Sequence, residues 1–163
     1  MTLTTHAIVG AGIVSITTFN PALGLCAAFV SHFVIDTIPH INYEVVSESM
    51  KPGGNTTHFN FNKDFFKDVF FIGVDGIAGL IIPILVFSTP KTFWLIVAGA
   101  CAGMLPDALQ FAYSRYKHEP LISLQRFHEW IHTIIPYKFD RFWGTVSQIL
   151  LVVIFIIVIK YVY

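Results

Sequence analysis

Two histidines and a carboxylate recur at four-residue intervals in Ser31-His32-Phe33-Val34-Ile35-Asp36-Thr37-Ile38-Pro39-His40, inside an otherwise apolar run. Residues four apart share a helix face, so His32 and Asp36 are expected to point the same way. Pro39 is expected to end or kink that helix, which leaves the direction of His40 open. Imidazole and carboxylate together suit zinc or another divalent ion. Buried in apolar surroundings, such groups are costly unless they are paired or bind something. A second stretch, His128-Glu129-Trp130-Ile131-His132, is a literal HExxH. In that pattern both histidines hold zinc and the glutamate activates water, although an amphipathic helix can carry the same letters without metal. Three further ionisable residues stand near or within apolar stretches: His6, Asp75 between Gly73 and Gly76, and Asp107 in Leu105-Pro106-Asp107.

The composition says what kind of chain must position these residues. Over 163 residues the apolar fraction is 55% and the charged fraction 12%, with a mean hydropathy of +0.67. Soluble domains carry roughly 25% charged residues, so the deficit points to an integral membrane protein. The net charge of zero leaves no basic surplus to neutralise phosphates and argues against nucleic acid as a partner. Lysine and arginine are absent before Lys51, so the first apolar stretch is expected to be retained rather than cleaved as a signal peptide. Cys26 and Cys101 lack any CxxC spacing and are expected to be small buried residues. Gly10-Ala11-Gly12 follows no strand and lacks a third glycine, which rules out a dinucleotide loop.

The expected fold is a single all-α integral membrane domain over residues 1–163, with about five membrane helices and one amphipathic interfacial helix. Thr4 to Phe19 is short for a span and rich in small residues that suit close helix packing. Asn20-Pro21 reads as a cap and first turn, opening a second helix to about Ile38 and making an antiparallel hairpin. Residues 41–62 read as a polar, turn-rich loop that carries His58 and the sequon Asn55-Thr56-Thr57. Phe65 to Phe87, Thr92 to Phe111 and Gly144 to Tyr163 complete the spans. Between Pro120 and Pro136, Leu121, Leu124, Phe127, Ile131, Ile134 and Ile135 share one side bordered by His128 and His132, as a helix lying at an interface requires.

Counting crossings brings the N-terminus, residues 41–62 and residues 114–140 to one side. His6, His32, Asp36, His40, Asp107, His128 and His132 then approach one mouth, with Asp75 the deepest, roughly 15 Å in at 1.5 Å per residue. Lys51, Lys63, Lys67, Arg115, Lys117, Arg126, Lys138 and Arg141 fall on that side and only Lys91 and Lys160 opposite. The positive-inside rule puts that side at the cytoplasmic face, with an inner or plasma membrane as the expected setting.

Thr5-His6, Leu105-Pro106-Asp107, His128 with His132, and Ser31-His32 with Asp36 together resemble the membrane-bound metal-dependent hydrolase family induced in bacterial DNA damage. Here the Ser-His-x-x-x-Asp element comes early in the chain rather than late. A fainter similarity, in His32, Asp36 and Pro39-His40, is to zinc-dependent phospholipase C. Both resemblances imply a metal and hydrolysis of an ester or phosphoester.

The expected centre therefore has His6, His32, Asp36, His40, Asp107, His128 and His132 as metal ligands, with Glu129 or Asp75 as base. The metal is a divalent cation, zinc first and manganese or iron as alternatives. Membrane lipids are the expected surroundings and a lipid-linked ester the expected substrate. Two readings from other classes stand beside this one. Asp75, Asp36 and His32 would line a proton or metal-ion path in a translocating protein, or would satisfy one another in a non-catalytic scaffold.

Overall fold

The computed structural model describes residues 1–40, 48–50, 57–59, 63–132 and 140–162. Among them lie six helices: α1 (Leu3–Ile16), α2 (Pro21–Asp36), α3 (Lys63–Phe87), α4 (Phe93–Arg115), α5 (Leu121–Ile131) and α6 (Arg141–Val162). A short antiparallel pair, β1 (Glu48–Met50) with β2 (Thr57–Phe59), adds strand where the sequence suggests only loop. The sequon at residues 55–57 lies largely outside the described residues.

Among the described residues three helices, α3, α4 and α6, are long and apolar enough to cross a membrane. The expected count of five is therefore not reached on length. The helices α1 and α2 have 14 and 16 residues, roughly 21 and 24 Å at 1.5 Å per residue, short of the roughly 30 Å hydrocarbon core. The Asn20 side chain accepts from Leu23 N at 3.1 Å and Pro21 opens α2. Both helices are thus closed at their turn by a cap and a proline, without charge.

The organising element is α1. It packs against α2, α3, α4 and α6, and Thr5 through Gly12 are all buried. A helix covered on every side has no need of a polar face. Its apolar neighbours are Phe87 of α3, Ile96 and Ala100 of α4, and Ile159 of α6, gathered around Ala7, Ile8 and Ala11. By contrast α3 and α6 turn large apolar side chains outward, including Phe70, Phe71 and Leu85 on one and Leu150, Ile154 and Val158 on the other. Apolar surface of that extent is expected to face lipid.

Close approach of α1 to α4 rests on glycines. A Cβ at Gly10 would lie 3.1 Å from Gly103 Cα, one at Gly99 2.7 Å from Val14 Cγ2, and one at Gly103 against the His6 carbonyl. Gly99 and Gly103 are a small-xxx-small pair of the kind that lets two backbones touch in apolar surroundings. Within α4, Pro106 is buried and has no N–H to offer the carbonyl four residues earlier, which loosens that turn. This crossing sets His6 of α1 beside Gly103 and Asp107 of α4.

The cysteines depart from expectation. Cys26 and Cys101 are both free and exposed, on the outward sides of α2 and α4. Facing outward in an apolar environment suits a small thiol as well as burial does.

Candidate metal centre

At the end of the bundle where α1 begins and α2 stops, Asp36 lies at the middle of a ring of imidazoles. Its Oδ2 is 3.0 Å from His128 Nε2, 3.2 Å from His32 Nε2 and 3.4 Å from His132 Nε2. Its Oδ1 is 3.3 Å from His6 Nε2 and 3.7 Å from His40 Nε2, and the Met1 amino nitrogen also reaches it, at 3.4 Å. Asp107 completes the set, with Oδ1 3.6 Å from His32 Nε2 and Oδ2 4.0 Å from His6 Nε2. The structure thus brings together all seven residues singled out as ligands. Four elements and one loop contribute: α1 His6, α2 His32 and Asp36, α4 Asp107, α5 His128 with its C-cap His132, and His40 beyond α2.

Local structure explains how each arrives. Helix α2 ends at Asp36 with Thr37 as its C-cap, so Pro39 and His40 turn back over it. The turn is held from α6, where Ser147 Oγ donates to the Pro39 carbonyl at 3.1 Å. His40 Nδ1 donates to the Ile38 carbonyl at 2.6 Å. His32 Nδ1 donates to the Gly103 carbonyl at 2.9 Å, beside the loosened turn of α4. On α5, His128 and His132 are one turn apart and their rings stack with centroids 5.0 Å apart.

These bonds fix protons. A carbonyl can only accept, so Nδ1 carries the hydrogen in both His32 and His40, and the neutral ring has a bare lone pair at Nε2. In both residues that nitrogen lies within 3.7 Å of a carboxylate oxygen of Asp36, and His32 Nε2 is also 3.3 Å from His128 Nε2. Two acceptors facing each other at 3.2 Å, as His32 Nε2 and Asp36 Oδ2 do, repel unless a proton or a cation lies between them. His6 makes the same demand: it is fully buried and neither ring nitrogen has a hydrogen-bond partner among the described residues. Leaving such groups unmatched costs about 1–3 kcal/mol each. One proton relieves one contact, whereas a cation with several coordination positions relieves all of them at once.

The donor set passes the chemical test. His6, His32 and Asp36 place one ligand atom each within 4.8 Å of one another, as do His32, Asp107 and His128, and Asp36, His128 and His132. The buried His/Asp cluster could therefore hold a metal ion. Carbonyl-oriented imidazoles beside carboxylates are the usual outer-shell arrangement of histidine metal ligands. Burial holds the His132 ring below its usual range, at about 4, so its lone pair is available at neutral pH. Among the described residues the open edge is at His132 and Asp107, whose side chains are 31% and 25% exposed, whereas those of His6, His32 and Asp36 are essentially closed off.

The two residues proposed as bases lie outside the ring of nitrogens. Glu129 is exposed on α5 and its Oε1 accepts from Gln125 Nε2 at 3.1 Å. Asp75 is not the deepest of the acids but level with the start of α1. Its carboxylate accepts from Thr4 N at 3.1 Å and from Thr4 Oγ1 at 2.7 Å. The reason is that α3 starts twelve residues before Asp75 and runs past the first turn of α1. Asp75 therefore satisfies one of the free N–H groups of a helix start, where negative charge is favoured. Asp75→Asn is expected to cost about 1 kcal/mol of stability, with metal content unchanged; loss of metal in that variant, measured by mass spectrometry, would contradict the capping role.

Two participants escaped the reading of the sequence. Gly103 supplies the carbonyl that orients His32, and its signal was the four-residue spacing from Gly99. Gln125 is buried one turn before His128, with Oε1 unpartnered among the described residues; its position on the histidine side of α5 was the available clue. His118 is exposed, whereas the side chain of His58 falls outside the described residues. Comparison of the chain with protein-family models, curated proteins and solved structures finds no match.

Proposed function

We propose that the protein is a membrane-embedded, metal-dependent hydrolase that acts on an ester or phosphoester of a lipid or lipid-linked substrate at the cytoplasmic face. The observation that carries this reading is the set of five histidine Nε2 atoms within 3.7 Å of one buried carboxylate. Two of these nitrogens are held as acceptors by backbone carbonyls. A nitrogen-rich set of this kind suits zinc first, with manganese or iron as alternatives. The motif resemblance to membrane-bound metal-dependent hydrolases, and the fainter one to zinc-dependent phospholipase C, point the same way.

A bound ion of this class supplies Lewis acidity and a water of lowered pKa. The chain's own residues supply the rest. His132 and Asp107 define the open edge by which water and the reacting ester enter. Glu129, next to His128 along α5, is held by Gln125 away from the histidines, and would take the proton only by swinging toward the open edge. Phe33 stands against both His32 and His128, with ring centroids 5.3 and 5.5 Å away. Its other side lines an apolar cleft of about 440 Å³ between α2 and α5, formed with Phe29, Val34, Leu124, Phe127 and Ile131. An acyl chain in that cleft would leave its headgroup beside the histidines.

Sidedness does not depend on how deeply the short hairpin enters the bilayer. Whether α1 and α2 cross or only dip, both open ends return to the face where α3 starts and α4 ends. Lys63, Lys67, Arg115, Lys117, Arg126 and Arg141 gather there, against Lys91 and Lys160 at the other end. The excess supports a cytoplasmic position for the centre. Translocation is less well supported, because beyond His6 the interior is Ala7, Ile8, Ala11 and Ile96, with no polar continuation among the described residues.

The test is hydrolysis by the purified, detergent-solubilised chain of a panel of phospholipid esters and phosphoesters, metal-free and after addition of zinc or manganese. Metal-dependent turnover is expected, with His128→Ala slower by at least about 100-fold. If no metal is retained, and wild type and H128A are indistinguishable across the panel, the proposal fails.

A further inference from the structure

We propose that the centre holds two metal ions, bridged by Asp36 and spanned by Asp107, and that it therefore acts on phosphoesters; this rests on the metal reading above. The first support is how the donors divide. His6 and His40 approach Asp36 Oδ1, whereas His32, His128 and His132 approach Oδ2. Asp107 repeats the division, with Oδ2 toward His6 and Oδ1 toward His32. Each carboxylate thus has one oxygen for each of two positions.

The second support is the stacking of His6 on His32. Their ring centroids are 3.7 Å apart and the planes are within 19° of parallel. A single ion bound about 2.1 Å from two imidazole nitrogens needs lone pairs that converge on one point at a roughly tetrahedral angle. Nearly parallel stacked rings with Nε2 on the same side have nearly parallel lone pairs, which serve neighbouring ions instead. The ring spacing falls in the range of about 3.5–4 Å that separates the ions of two-metal sites.

Charge then selects the substrate. Two divalent ions against two carboxylates leave an excess of about two positive charges, before the Met1 amino group is counted, in a closed apolar setting. A neutral carboxylic ester does little to offset that excess. A phosphoester brings negative oxygens that can meet both ions, as in-line displacement at two-metal sites requires.

The experiment is titration of manganese(II) into the metal-free full-length chain in detergent, followed by electron paramagnetic resonance and metal analysis. Two tightly held ions per chain with an exchange-coupled spectrum are expected. His40→Ala and His132→Ala, each removing a donor from a different oxygen of Asp36, are each expected to hold one ion with an uncoupled six-line spectrum. His132 is partly exposed, so its variant tests the division with little demand on folding. Inorganic phosphate is expected to alter the coupled spectrum of the wild type and to leave the one-ion variants unchanged. One ion per wild-type chain, or two without coupling, would overturn the bridged pair and leave a hydrolase with a simpler centre. Binding of no ion overturns both readings. Coupled ions without hydrolysis of any lipid would support the pair while removing the proposed reaction.

Discussion

Asp36→Asn is expected to strip the centre of metal while leaving the helices in place. The asparagine amide has nearly the volume and shape of the carboxylate, so the packing of α2 against α1 and α4 is retained. What changes is charge and donor character. An NH₂ group directed into five imidazole nitrogens can pair with at most two of them and cannot coordinate a cation. Outer-shell substitutions at metal sites cost about 10–100-fold in affinity, so removal of the central ligand is expected to exceed about 100-fold, or about 2.7 kcal/mol. Metal content after dialysis and helicity by circular dichroism separate the two effects. Unchanged metal content in D36N would mean that the histidines and Asp107 hold the ion without Asp36, and would remove Asp36 as the central ligand.

The second large effect is expected away from any ligand, in Gly103→Val. A Cβ at this position meets the His6 carbonyl directly, so α1 and α4 must separate or slide. Overpacking of this kind costs about 1–3 kcal/mol, and losing the His32–Gly103 bond adds about 1 kcal/mol. The combined effect corresponds to a fall in thermal midpoint of roughly 5–15 °C for a chain of this size. Metal affinity is expected to fall with it, because His6, His32 and Asp107 are all aligned by that crossing. Gly73→Ala is the matched control: nothing lies within 4 Å of a Cβ there, and replacing a helical glycine by alanine gains up to about 1 kcal/mol. Equal stability and metal content in G103V and wild type would remove the crossing from the account.

Much of the centre was legible in spacing alone. His32 and Asp36, and His128 and His132, sit one helical turn apart, and that periodicity sets which side chains share a face whatever the tertiary structure. Proline at 39 and 106 marked where helix ends or loosened turns would bring backbone carbonyls to the ring. Lengths were less legible. Apolar residues continue through the turn around Phe19, so hydropathy runs past the caps that close α1 and α2 and reads about five spans where, among the described residues, three helices have the length. The depth of Asp75 is less legible too: the charged start of α3 at Lys63 and Asp64 reads as a solvated first turn, but does not show how far that helix runs before it meets Thr4 of α1. Glu129 shows the limit of a motif, since HExxH fixes the order of side chains but not which neighbour a carboxylate chooses. Gln125 was available to claim it.

The shortness of the α1–α2 hairpin also bears on how the protein is made. His6, His32, Asp36 and His40 are all synthesised before Asp107 and α5, their partners across the bundle. Held in hydrocarbon without their partners during that interval, these ionisable groups would be costly. Two short helices joined at an uncharged turn can sink their apolar tip and keep those four residues at the watery rim. The later helices then close over them, so that assembly of the centre becomes the last step of insertion rather than an obstacle to it.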